Sequence, residues 1–295
     1  MSRLEQEMRT LAQQAGGSHK TVHDRMALAQ RFCARLIHEQ NVQIRRVDQL
    51  KARHIEGYIQ NRLAQSINKR SLQNEMSALR QILIRAGRDK LAHSARLSNV
   101  ALGLAGASRH GTHLAITPER YQNALAAAQQ KDAGLAAAMA LARMMGLRSE
   151  EAVQCGQSLN TWQKALAKGA ASLRIVFGTK GGRPRDTHVL DAGAVKKAVD
   201  NALAVAEDRN GRLIDKPDLK SAMKYWHSQA GRMGLKGEYS PHSLRYAWAQ
   251  DALACYLVQG YSEKEALAQT AMDLGHGDGR GRWVAQIYGR KEEAG

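Results

Sequence analysis

The sequence predicts a mainly α-helical protein with a small β-hairpin, folded as two domains. Three observations predict it. Apolar residues recur every three to four positions through most of the 295 residues, the spacing of amphipathic helices. A Gly/Ser/Ala-rich stretch over 102–113 interrupts that pattern and leads into Thr117-Pro118-Glu119, a helix start. Between 172 and 190 the pattern changes to strand-like runs, SLRIVF at 172–177 and THVL at 187–190. A chain of this length that is 43% hydrophobic can bury a sizeable core. The expected boundaries are a helical domain over 1–110, a linker over 111–117 and a second domain over 118–295.

Charge narrows the partners. Forty-four Lys+Arg against 27 Asp+Glu give a net charge of +17, and the pI is near 10.1. A polyanion is the natural partner, and nucleic acid fits better than a membrane. The longest uncharged apolar stretch, 133–142, is too short to span a bilayer, and residues 1–10 lack the apolar core of a signal peptide. The expectation is a soluble, cytoplasmic protein. Cys33, Cys155 and Cys255 are odd in number and lack metal spacing, so they read as reduced, packed thiols with no metal site.

The first domain reads as a basic helical module. Residues 1–110 hold 19 Lys+Arg and 8 Asp+Glu, so +11 of the +17 lies there. Helical spacing links Val22, Met26, Ala29, Phe32, Cys33 and Leu36, then Ile55, Tyr58, Ile59 and Leu63, then Leu72, Met76, Leu79, Ile82 and Leu83. Ser71 with Glu75 marks a start for the last of these helices and Gly87 a stop. Arg25, Arg31, Arg35, Lys69, Arg70, Arg80 and Arg85 fall on the polar faces and are the candidate phosphate contacts.

In the second domain, 121–128 and 135–145 are Ala-rich helices suited to packing. Arg148 and Glu151 follow, three apart, so the carboxylate can brace a guanidinium. GTKGGR at 178–183 is the hairpin loop, with Lys180 at its tip, placed to enter a groove or to deliver a proton. It does not meet the Walker A pattern, which excludes a P-loop NTPase. Helical runs at 194–206 and 219–233 lead to Pro241-His242-Ser243-Leu244-Arg245, around which the chain is organised. Ser240 as N-cap and Pro241 at the first position would start a helix from which His242 and Arg245 project on one face, an arrangement that favours an anion. Trp248 reads as core, Ser262 with Glu265 as a capping box, and 283–290 as a short helix carrying Tyr288. The glycines of 277–282 do not form a dinucleotide fingerprint.

Taken in order, G-L-R-x-x-E, a hairpin lysine, H-x-x-R, L-G-H and a late tyrosine resemble the tyrosine recombinases, the phage-integrase family. The resemblance covers 117–290, and the basic module ahead of it is similar to the family's helical core-binding domain in layout and charge. It implies a two-domain architecture with an α+β catalytic domain, and a catalytic set of Arg148, Lys180, His242, Arg245, His276 and the nucleophile Tyr288, supported by Glu151. It also implies double-stranded DNA as partner, a homotetramer on paired sites, possible accessory DNA-bending proteins, and no cofactor. Two features depart from the family: the segment between His276 and Tyr288 is a few residues longer than usual, and the tail after Tyr288 is short.

The chemistry suits these residue types. Two arginine forks and a histidine donor (Arg148, Arg245 and His276) can stabilise a phosphorane, His242 can act as base or orienting group, and Lys180 can protonate the departing 5′-oxygen. Among the nearby tyrosines, Tyr246 adjoins Arg245 on one helix, Tyr256 is at an apolar position and Tyr261 follows Gly260 in a turn, whereas Tyr288, the nucleophile that the resemblance implies, lies on a separate short segment after a glycine-rich stretch. A type IB topoisomerase, or a DNA-binding regulator that keeps the constellation without turnover, are the alternative readings.

Overall fold

Helical periodicity dominates the computed structural model, which describes residues 1–108 and 111–289 and divides into two compact units, Met1–Ser108 and Arg109–Gly295. Arg109, His110 and residues 290–295, where the expected first domain and last helix end, lie outside the described residues.

The first unit consists of α1 (Arg3–Gln14), α2 (His19–Ala34), α3 (Ala52–Ala64), α4 (Lys69–Arg85) and the single turn α5 (Asp89–Ala92). The periodicity of α2, α3 and α4 is where the sequence puts it. The first helix is an addition: Leu4, Met8 and Ala12, four apart, form a buried stripe that joins Leu28, Phe32, Tyr58 and Met76 in one core. Helix α4 starts at Asn68, whose side chain accepts from the Arg70 amide, and not at Ser71. Glu75 is therefore in the helix interior. It is buried and accepts from the Tyr58 hydroxyl at 2.8 Å and from the Arg62 guanidinium at 2.9 Å. Burial first, and then the Glu75 charge, pushes the Tyr58 phenol up to about 12.

Several candidate phosphate contacts have other work. Arg25 is buried and donates to the carbonyls of Ala12 and Gly16, tying the α1–α2 turn to α2. Arg35 pairs with Glu39 at 2.6 Å, Arg80 donates to Leu97 O at 2.6 Å, and Arg31 reaches Glu75 at 3.4 Å. These guanidiniums satisfy the protein's own carbonyls and carboxylates. Arg31, Lys69, Arg70 and Arg85 remain exposed.

The second unit comprises α6 (Pro118–Lys131), α7 (Ala133–Met145), α8 (Ser149–Gln154), α9 (Leu159–Ala167), β1 (Ser172–Ile175), β2 (Arg185–His188), α10 (Ala192–Glu207), α11 (Leu219–Arg232), α12 (His242–Val258), α13 (Glu263–Asp273) and α14 (Gly281–Tyr288). The protein is thus mainly helical with one two-stranded antiparallel sheet. Thr117 caps α6 as expected, and Ser262 with Glu265 forms the expected capping box on α13. Residues 111–117, expected as a linker, are instead bonded into this unit through Leu114 N to Glu238 O (2.9 Å) and Ile116 N to Ser243 O (3.2 Å). Strand β2 begins two residues earlier than its apolar run, because Ile175 pairs with Arg185 and Ser172 with His188. That register puts Arg185 and Thr187 on the buried face. No helix among the described residues is long and apolar enough to cross a membrane.

Hydrogen bonds from a charged group contribute about 1.5–3 kcal/mol. Arg25→Ala is therefore expected to loosen α1 and α2, read as faster amide exchange in both helices. Exposed Arg70→Ala is expected to change stability by less than about 0.5 kcal/mol.

Candidate active site

The site is assembled where two helices end. Helix α7 stops at Gly146, which takes a left-handed φ of 59° and packs so closely on Trp248 that a Cβ would lie 2.6 Å from the indole. Only glycine meets both demands without strain. Two residues on, Arg148 is the N-cap of α8. Its amide donates to Glu151 at 2.8 Å and its guanidinium donates to the same carboxylate at 2.6 Å, the brace that the spacing predicts.

Glu151 is 1% exposed and holds more than one guanidinium. Arg185, from β2, donates to its two oxygens at 3.2 and 2.7 Å, and Arg245, from α12, lies 3.9 Å away. The three guanidiniums also donate to helix-terminal carbonyls. Gly146 O accepts from Arg245 and from Arg185 (3.1 Å), Leu274 O from Arg245 and from Arg148 (2.9 Å), and Asp273 O from Arg185 (2.5 Å). These carbonyls belong to the C-terminal ends of α7 and α13, where the helix dipole is negative. Burial alone would raise the Glu151 carboxyl, but the hydrogen bonds and charge of Arg185, with Arg245 and Arg148 behind it, hold it down to about 2. Burial, and then the neighbouring Arg245 charge, pulls Arg185 down to about 10 and Arg148 in the same direction.

In front of this cluster is a cavity of about 640 Å³ lined by Arg148, Lys180, His242, His276 and Tyr288. Lys180 is exposed, in the turn between β1 and β2. Tyr288, at the end of α14, is 3% exposed; its phenolic oxygen accepts from Arg245 Nε at 3.3 Å and lies 3.1 Å from His276 Nε2. His276 packs on Trp283 with ring centres 4.3 Å apart. Both imidazoles are pushed down to about 3, chiefly by burial and next by Arg245, so both are neutral at physiological pH. Five of the seven sequence-derived residues therefore line one cavity, while Glu151 and Arg245, the latter fully buried, do not line it and are joined to it through Arg148 and Tyr288.

The competing tyrosines are otherwise placed. Tyr246 is buried against the Tyr288 ring at 4.5 Å, Tyr256 donates to Asp273 at 2.5 Å, and Tyr261 stacks on Tyr256 at 5.3 Å. Ser240 departs from its expected part, since its hydroxyl does not cap α12 but lies 3.2 Å from His113 Nδ1. Two residues were not singled out in the sequence: Arg185 and His113. Running the period of two backwards from Thr187 lands on Arg185 in a buried phase, a signal that a buried acid must face it; nothing periodic marks His113.

A family model described as an integrase matches residues 103–251, and one described as a phage integrase N-terminal region matches 1–92. The first spans half of the chain by itself. The chain belongs to the phage-integrase family of tyrosine recombinases. Within the matched stretch of this recombinase are Arg148, Glu151, Lys180, Arg185, His242 and Arg245; His276 and Tyr288 follow it. Among solved structures, a lambda integrase tetramer bound to a Holliday junction is 16% identical with a TM-score of 0.62, over 99% of this chain and 79% of that one. A lambda integrase dimer bound to a COC′ core site is 17% identical with a TM-score of 0.60, over 99% and 78%. Lambda integrase (75–356), also as a dimer on a COC′ core site, is 18% identical with a TM-score of 0.55, over 93% of each chain. At these identities the likeness is one of fold. No curated protein matches the recombinase significantly by sequence.

The depressed imidazoles and carboxyl act on stability in one direction. Between their folded values (about 3 for His242 and His276, about 2 for Glu151) and their ordinary values of 6.5 and 4.5, the unfolded chain binds more protons. Stability therefore rises with pH through that window. The imidazole part erodes as pH falls below 6.5, whereas the Glu151 part is intact above 4.5 and goes as pH falls toward 2. Urea unfolding followed by tryptophan fluorescence is expected to show a lower midpoint at about pH 5 than at about pH 7. The double variant His242→Gln/His276→Asn is expected to flatten that difference.

Proposed function

We propose that this recombinase cleaves and rejoins duplex DNA through a 3′-phosphotyrosine intermediate, with Tyr288 as nucleophile. One observation carries the reading: the Tyr288 oxygen lies within hydrogen-bond reach of both Arg245 Nε and His276 Nε2, beside a cavity lined by Arg148 and Lys180. A phenol of ordinary pKa about 10 is a weak nucleophile unless cations favour its anion or a base takes its proton. Both devices are at hand. Arg245 points a charged donor at the oxygen, and neutral His276 is the nearest group able to accept the proton. That moves the base assignment from His242, whose ring centre is 6.4 Å from the Tyr288 ring, and leaves His242 to orient the substrate.

As the phenolic oxygen forms its bond to phosphorus, the bond to the 5′-oxygen breaks, and Lys180 supplies that oxygen's proton. Arg148 and Arg245 stabilise the phosphorane oxygens, while Glu151 and Arg185 keep the two forks in place. The phosphotyrosine preserves the ester, so a 5′-hydroxyl of a second strand can attack it and take the 3′-phosphate, its proton going to Lys180 while His276 returns its proton to the Tyr288 oxygen. Neither metal nor ATP enters these steps. The lambda integrase tetramer and dimers on DNA support paired duplex sites as substrate and a homotetramer as the working assembly. The basic first unit would serve as the core-binding domain, and the cytoplasmic nucleoid is the expected place of action.

Two outcomes are expected. On a nicked suicide duplex, wild-type protein traps a covalent adduct that peptide mapping places on Tyr288, and Tyr288→Phe binds the duplex without forming it; an adduct on another tyrosine would remove the assignment. The triple variant Lys69→Ala/Arg70→Ala/Arg85→Ala is expected to lower the slope of log affinity against log salt by about 0.9 for each lost contact. A slope equal to wild type would place those cations away from the phosphates.

A further inference from the structure

Residues 111–116 form a strap across the rim of the cavity. The Gly111 amide donates to Gln286 O in α14 at 3.4 Å, and the strap is held further along by the Glu238 and Ser243 carbonyls already described. At Gly111 there is no room for a side chain, since a Cβ would lie 2.1 Å from Ile287 O and 2.8 Å from the Tyr246 hydroxyl. Ile287 immediately precedes Tyr288. Helix α14 is eight residues long, buries Val284 and Tyr288, and follows a glycine-rich stretch. A helix of two turns is not stable alone, so its position comes from what it is packed on.

Two residues along the strap, His113 lines the same cavity, with Nδ1 beside the Ser240 hydroxyl. Its ring meets His242 edge-on at 5.7 Å and Tyr246 at 5.9 Å. Among the described residues no side-chain hydrogen bond holds the His242 ring. Its placement comes from three aromatic neighbours: His113, Tyr246 at 5.5 Å and Tyr288 at 6.4 Å.

We propose that Gly111 and His113 are positioning residues for the covalent step, Gly111 by letting α14 close against the strap so that Tyr288 is in place, and His113 by seating the His242 ring. The proposal rests on the reading of Tyr288 as nucleophile and adds to it a stretch that lies ahead of every motif in the sequence. Around the cavity the strap meets the α14 backbone, the Ser240 hydroxyl and the rings of His242 and Tyr246, and it acts on the reaction through Tyr288 and His242.

The test uses the full chain and three variants: Gly111→Ala, His113→Ala and His113→Phe. For each, amide exchange over residues 281–289, affinity for a nicked duplex, and the rate of adduct formation at saturating duplex are measured. Gly111→Ala is expected to speed exchange in α14 and slow the adduct by about tenfold to a hundredfold, the scale of a displacement near 1 Å, with affinity within about twofold. His113→Ala is expected to slow the adduct while leaving α14 exchange unchanged, and His113→Phe, which keeps a ring against His242, to restore most of the rate. Wild-type rates in Gly111→Ala and His113→Ala, or wild-type α14 exchange in Gly111→Ala, would overturn the proposal. If the wild-type protein forms no adduct on Tyr288, the nucleophile reading fails instead, and α14 exchange in Gly111→Ala still decides whether the strap seats that helix. Should Gly111→Ala not fold, the contrast between the two His113 variants decides.

Discussion

Three guanidiniums gathered on one carboxylate impose the constraint that the second unit is built to satisfy. Arg148, Arg185 and Arg245 repel one another, and burying charge is costly unless every hydrogen finds an acceptor. Glu151 neutralises one charge, and the carbonyls of Gly146, Asp273 and Leu274 supply acceptors without adding a compensating charge. Several features of the fold follow. Helix α7 must end at a left-handed glycine for its last carbonyl to face the cluster, α13 must end opposite it, and β2 must start early enough to bring Arg185 in. The excess of positive charge over Glu151 is not a defect: on the proposed reading it is what a phosphate diester meets when it enters the cavity.

How much of this was visible in the sequence depends on whether a residue's role is local. The Arg148–Glu151 brace is a contact three residues apart on a helix start, and the capping box at Ser262 and the stop at Gly87 are equally local, so spacing alone revealed them. The helices of the first unit were legible because their apolar stripes persist for several turns. Arg185 was not, because a charged residue after Pro184 looks like loop until its cross-strand partner Ile175 and its acid Glu151 are in place. The same limit applies to the basic face. Arg25 and Arg70 are alike in sequence, both cations on polar helix positions, yet one is enclosed by the carbonyls of a neighbouring turn and the other faces solvent.

The two imidazoles illustrate how burial and charge divide labour. Each is buried, and next to that faces arginines, and so stays unprotonated, which leaves a nitrogen lone pair available in a strongly cationic place. Lys180 is exposed on its hairpin. On the proposed reading the proton acceptor, His276, is at the wall and the donor, Lys180, at the mouth of one cavity.

On the proposed reading, the bond from Arg245 to the Tyr288 phenol has a consequence for the direction of the reaction. Arg245 is fully buried, and the phenolic oxygen is the acceptor for its Nε. Converting that oxygen to an aryl phosphate ester would make it a poorer acceptor and would take away the hydroxyl hydrogen that can reach His276. The covalently modified protein would hold its own interior less well than the free protein does. Religation would then be helped from within: expelling the DNA strand end restores the phenol to the position in which the buried arginine is best satisfied.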